Sequence, residues 1–245
     1  MLNFRRASEL APGRPEALFL LCAALLEQGK PEAQELLKQL FQRFPDYADG
    51  WQEIGAVLRN AGQIEAAAAA FARAANGSKE PGHQLRLAVT LQSLGRLAEA
   101  IAALHKALEA APDHLEARLL LASCLRQGGE PRLARIELES ATSLERESSR
   151  AWFSLGVVCD DLQDIPGAIA AYRKCIDLQP DSPEALVNLG LSLQNTGDLT
   201  GALAAYRRAV QLRADTFGRI AQGLSAARTG QLWLDLKKLR RSLTS

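Results

Sequence analysis

The chain has 245 residues, with 29 Lys/Arg against 28 Asp/Glu and a formal net charge of +1. That balance excludes a protein that is polyelectrolyte over its whole length, and 47% apolar with 23% charged residues excludes a disordered one. Ala and Leu dominate, and Pro recurs at intervals, which favours helices broken by short turns.

Residues 1–14 place Phe4, Ala7, Leu10 and Pro12 at the spacing of Tyr172, Cys175, Leu178 and Pro180. They are expected to form a leading helix, the second half of an incomplete unit. The apolar run Ala17–Leu26 follows Arg5, Arg6 and Arg14 and has the outline of a secretory leader. No small-residue cleavage site follows it, Leu21 precedes Cys22, and the run is too short to span a bilayer, so a core helix is expected.

From residue 15 the chain divides into six similar segments: 15–47, 48–80, 81–114, 115–148, 149–182 and 183–216. Segments 149–182 and 183–216 overlay at a shift of 34 residues, matching Leu155-Gly156 with Leu189-Gly190, Ala168 with Ala202 and Tyr172 with Tyr206. The break residues Gly29, Gly62, Gly95, Gly129, Gln163 and Gly197 keep the same register. Apolar residues at Leu18, Leu21, Cys22 and Leu25 mark a helix before the first break, and Pro31 suits the start of the helix after it. Asn76-Gly77 suits a left-handed helix stop. Residues 217–245 fit the pattern poorly and are expected to be a divergent, basic capping unit, with a helix from Phe217, Trp233 over the end of the core and Asp235 capping a last short helix.

A fixed period in this range belongs to stacked helical repeats, each of which buries its apolar face on its neighbours. The residues that recur are Trp and Leu-Gly on a first helix, then Ala, Tyr or Phe, Ala and a closing Pro on a second. In this pattern the chain resembles the tetratricopeptide repeat family, of a bacterial type. The resemblance implies an all-α, right-handed superhelical solenoid of antiparallel helix pairs. It implies a non-catalytic scaffold or adaptor that holds a peptide or amphipathic helix of a partner protein in a groove lined by the first helices. The truncated opening unit leaves a second class open: a recruiting or regulatory segment of a larger glycosyl-, methyl- or sulfotransferase. A self-assembling scaffold, with the leading helix docked on another copy, is the third.

The residues themselves offer no nucleophile elbow, phosphate-binding glycine loop or zinc-protease helix, so no enzyme is expected. His83, His105 and His114 have no Cys or carboxylate at metal-ligand spacing that stands above the background, and Asp160, Asp161 and Asp164 lack the glycine and further ligands of a calcium loop. They are expected to be a solvated helix end, and no metal or cofactor is expected. Cys22, Cys124, Cys159 and Cys175 fall on core-facing positions, which favours a reducing compartment and a cytoplasmic protein.

By position within the family pattern, the groove candidates are Phe19, Gln52, Arg59, Leu119, Arg126, Phe153, Val157, Asp160, Val187, Asn188, Leu191 and Asn195. The rows are mostly apolar, so packing against adjacent units is the alternative expectation, favoured for Leu85 and Leu119 and balanced against partner contact for Phe153. The lone Asn188 provides neither a carboxylate clamp nor an asparagine ladder of the kinds known in the family. Residues 206–245 carry nine Lys/Arg and two Asp, and Arg207, Arg208, Arg213, Lys237, Lys238, Arg240 and Arg241 form a candidate basic patch. A solvated cap is the first expectation there. An acidic protein or an anionic membrane surface comes second; the lack of an aromatic platform argues against nucleic acid.

Overall fold

The computed structural model describes residues 15–225. Among these residues all regular structure is helical: thirteen α-helices and one short 3-10 turn. They are α1 (Pro15–Glu27), α2 (Glu32–Arg43), α3 (Ala48–Asn60), α4 (Ile64–Gly77), α5 (Pro81–Ser93), α6 (Leu97–Ala110) and α7 (Leu115–Gln127). Then follow α8 (Pro131–Leu144), α9 (Ser149–Asp161), α10 (Ile165–Leu178), α11 (Pro183–Asn195), α12 (Leu199–Leu212) and α13 (Phe217–Ser225). The expected leading helix of residues 1–14 lies outside the described residues. So does the cap beyond Ser225, including Trp233, Asp235, Lys237, Lys238, Arg240 and Arg241.

A thirteen-residue first helix, a three-residue turn, a fourteen-residue second helix and a four-residue turn account for the 34-residue period. Each start has a local cause. The Ser148 and Ser182 hydroxyls accept from the backbone N–H of Ala151 and Ala185 and cap α9 and α11. The Asp164 and Asp198 carboxylates accept from the N–H of Gly167 and Gly201 and cap α10 and α12. Each turn between paired helices passes through one left-handed residue: Gly29, Gly62, Gly95, Gly129 and Gly197, and Gln163 at φ 59°. Asn76-Gly77 is not such a stop, because neither residue has a positive φ. A methyl on Gly77 would instead meet the Asp46 carbonyl oxygen at 2.6 Å, so close backbone approach explains this glycine.

The chain divides into two compact units, residues 1–128 and 129–245. The boundary falls at Gly128-Gly129, between the two helices of the fourth expected repeat. In the first unit the pairs α3/α4 and α5/α6 pack closely, and α6 packs on α7. Its opening departs from the period: α1 packs chiefly on α3. Phe19 makes that contact, edge-on to Trp51 with ring centroids 5.1 Å apart. The second unit stacks α8 on α9, α9 on α10, α10 on α11 and α11 on α12, with α13 against α11.

The first-helix glycines Gly55, Gly156 and Gly190 admit the paired helix, where Ala67, Ala168 and Ala202 are buried. The close neighbour is the aromatic ring four residues further on. A methyl on Gly55 would stand 2.6 Å from the Phe71 ring, and one on Gly156 2.5 Å from the Tyr172 ring. Tyr206 fills the same place over Gly190. These three repeats thus insert a buried ring against bare first-helix backbone.

Candidate functional site

The candidate groove residues do not share one environment. Phe19 and Val187 are 1% and 0% exposed, and Leu119 is buried. For Phe19 the reason is that α1 packs side by side with α3 and the ring turns into that contact. Phe19 and Val187 are core residues, which corrects their expected place in an open groove, and Leu119 packs as expected. Gln52 is half-buried on α3, and its amide nitrogen and oxygen are shut from solvent without a partner among the described residues. Arg59 is exposed, with its guanidinium 6.0 Å from the centre of the Phe71 ring. Arg126 is exposed at the end of α7.

The second unit gathers the rest. Phe153 and Val157 on α9 and Asn188 and Leu191 on α11 are half-buried, and Asn195 is exposed. The Phe153 ring lies 6.0 Å from that of Tyr172, tilted by 53°. Beside this apolar shelf runs a directed chain of hydrogen bonds. Arg219 on α13 donates to Asn188 Oδ1 at 3.1 Å. Asn188 Nδ2 donates to the Tyr172 hydroxyl at 3.2 Å. That hydroxyl donates to Asp160 Oδ2 at 2.7 Å, and the Ser192 hydroxyl lies 2.9 Å from Asp160 Oδ1. Asp160 is therefore no solvated helix end: α10 and α11 both bond to its carboxylate.

Electrostatics follow from that placement. Burial raises the Asp160 carboxyl above its ordinary value, against the lowering effect of the Tyr172 and Ser192 hydrogen bonds. Burial, followed by the adjoining carboxylate, pushes the Tyr172 phenol up as well, so it stays a donor. Asp164, also expected to be solvated, caps α10 and pairs with Arg135 at 2.9 Å. Asp161 is exposed, as expected.

Tyr172, Ser192 and Arg219 were missed as partners of the site, although a signal was present. Tyr172 stands twelve residues after Asp160, and Tyr206 twelve after Gln194. Tyr206 donates to Gln194 Oε1 at 3.0 Å. Where the second-helix ring is Phe71, the residue twelve earlier is Arg59, which needs no hydroxyl. An acceptor thus accompanies each tyrosine at this spacing.

The basic end is partly neutralised where it is described. Arg213 pairs with Glu184 at 2.6 Å and with Asp215 at 2.9 Å. Arg208 donates to the Pro180 carbonyl at 2.8 Å, and Arg207 is exposed. No group of three or more His, Cys, Asp or Glu side chains among the described residues has metal-site geometry. His114 caps α7, His105 is exposed, and buried His83 lies 3.9 Å from Glu80. The four thiols are separate and buried; burial pushes Cys22 up to about 12 and Cys124 to about 11, which keeps both protonated.

Comparison with known proteins gives this architecture a name. A family model described as Tetratricopeptide repeat matches residues 91–155, and another of the same description matches 30–81 and 161–218. The chain belongs to the tetratricopeptide repeat family, and its fold is the all-α solenoid of that family. Repeats of this family are protein–protein interaction modules. The human protein DnaJ homolog subfamily C member 3 is 26% identical over 193 residues, taking in 72% of this chain and 38% of that protein. The chain thus spans well under half the length of that relative. A crystal structure of MamA is 24% identical with a TM-score of 0.63, over 69% of this chain and 93% of that one. YrrB, described as a TPR protein with an unusual peptide-binding site, is 18% identical with a TM-score of 0.60, over 73% of this chain and 92% of its own. These structural likenesses extend to the fold.

Proposed function

We propose that the chain is a non-catalytic scaffold that holds a peptide or an amphipathic helix of a partner protein on the first helices of its second unit, α9 and α11. The observation that carries this reading is the shelf of Phe153, Val157 and Leu191, half-buried and apolar beside a fixed polar row. Apolar anchors recurring along adjacent helices suit the i, i+3, i+4 pattern of a bound helix or the alternate side chains of an extended peptide. Asn188 keeps one amide hydrogen beyond its bond to Tyr172, which suits it to orient a backbone carbonyl. Gln52, Arg59 and Arg126 extend the candidate surface on the first unit, considered separately. Four singly buried thiols support a reducing compartment such as the cytoplasm. No helix of the described residues is long and apolar enough to cross a membrane.

The test is capture of partners by the wild type and by a Phe153→Asp, Leu191→Asp double variant. Val187 is unsuitable because it is fully buried and a charge there would unfold α11. The double variant, folded by circular dichroism, is expected to lose the specific partners. Retention of every partner by the folded variant contradicts the reading.

A further inference from the structure

We infer that the outward face of α8 is a docking surface for the same face of a second copy of the chain. The helix packs Ala134, Leu138 and Ala141 inward and stacks on α9. Its opposite face carries Leu133, Ile136 and Leu144, which are 48%, 56% and 42% exposed. The second helices of the neighbouring repeats show what this face ordinarily needs. The place of Ile136 is taken by Ala69, Ala102, Ala170 and Ala204, all exposed. The place of Ser140 is taken by Arg73, Lys106, Lys174 and Arg208. In α2 the two places hold Leu36, half-buried, and Leu40, buried; among the second helices from α4 to α12, α8 alone replaces alanine with an exposed branched apolar side chain and the cation with a serine. Solvent gains nothing from that exchange, whereas a covering surface does.

The serines complete the apolar character. The Ser140 hydroxyl donates to the Ile136 carbonyl at 3.0 Å, and the Ser143 hydroxyl to the Glu139 carbonyl at 2.8 Å. Both polar groups are spent inside the helix and can be covered without an unpaired donor. The result is a face of two large residues followed by two small hollows. Such a face is complementary to itself. A two-fold axis beside Leu138 brings the copies together antiparallel, with Ile136 of each over Ser140 of the other and Leu133 over Ser143. The same register sets Leu133 beside Leu144 on one flank. At both ends it brings Glu130 of one copy towards Arg146 of the other, both exposed. Antiparallel helix dipoles add to this charge match. A surface formed around one helix belongs to the weak class of interfaces, below about 1,200 Å² in total. Association is therefore expected at high concentration, on a face distinct from the α9/α11 shelf.

Sedimentation equilibrium of the full chain up to about 1 mM tests the inference. The wild type shifts from monomer to dimer mass. The double variant Ile136→Ala, Ser140→Lys, which takes the residues found in α6 and α10, remains monomeric with an unchanged thermal melt. Glu130→Arg weakens the dimer, and adding Arg146→Glu in the same chain restores it. A wild type that stays monomeric throughout overturns the inference. So does a dimer indifferent to the Ile136/Ser140 exchange, or a failure of the reversed charge pair to restore association. Since these variants leave Phe153 and Leu191 intact, their outcome is independent of partner capture.

Discussion

Asp160 shows what one side chain adds to a repeat whose backbone is already determined. Its carboxylate accepts the Tyr172 and Ser192 hydroxyls, and Asn188 and Arg219 are ordered behind the tyrosine. Burial is the larger influence on it and raises its pKa above the ordinary aspartate value of about 4. The sign follows: the folded chain holds this proton more tightly than the unfolded one. The contribution to stability is present below the unfolded value and is lost as pH rises through the folded one. Asp160→Asn keeps an acceptor for Tyr172 and removes the charge. Relative to wild type it is expected to be more stable at pH 7 than at pH 4, by thermal melts at both. An equal difference at the two pH values contradicts this account. The same residue marks the limit of what the sequence discloses. Its position on the first helix was legible from the period, but its partners come from α10 and α11, and an acidic triplet at a helix end has the same pattern whether solvated or buried. Only the twelve-residue step to Tyr172, echoed by Gln194 and Tyr206, distinguished them.

At the scale of the element, the helices and their register were the most legible part of the chain, because each is punctuated locally. Left-handed turn residues and apolar spacing recur along the chain, serine and aspartate caps recur in the last two repeats, and each acts within a few residues of its own position. Gln163 is the exception that tests the rule. It holds φ 59° between α9 and α10, where the five equivalent turns have glycine. A side chain in that region carries a penalty of about 1–2 kcal/mol. Gln163→Gly is expected to stabilise the second unit by about 1 kcal/mol, allowing for the greater freedom of an unfolded glycine. The midpoint of denaturant unfolding measures it, and an unchanged or lowered midpoint would mean that the Gln163 contact with the Asp160 carbonyl outweighs the strain. Side-chain direction was less legible. Phe19 and Val187 follow the groove positions by count, yet α1 leans on α3 through Phe19 and Val187 turns into the core of its unit.

At the scale of the whole molecule, the period runs without interruption through residues 115–148, whereas the compact units divide at Gly128-Gly129. Periodicity records which residues are alike; compactness depends on how densely elements pack, and no single position encodes that. For the same reason the repeats declare an interaction module far more readily than they declare its partner. The positions that agree between repeats, such as Gly156, Gly190, Ala168 and Ala202, are spent on packing rings against backbone. On the proposed reading, specificity rests on the half-buried positions that differ along the shelf: Phe153, Val157 and Leu191. The central claim is that a protein partner lies across α9 and α11. Its most direct measurement is site-specific photocrosslinking, with a photoreactive phenylalanine analogue at Phe153, at Leu191 and, as a control, at exposed His105 on α6. The account predicts partner adducts from positions 153 and 191 and none from 105. Adducts from 105 alone, with 153 and 191 silent in a folded protein, would contradict it.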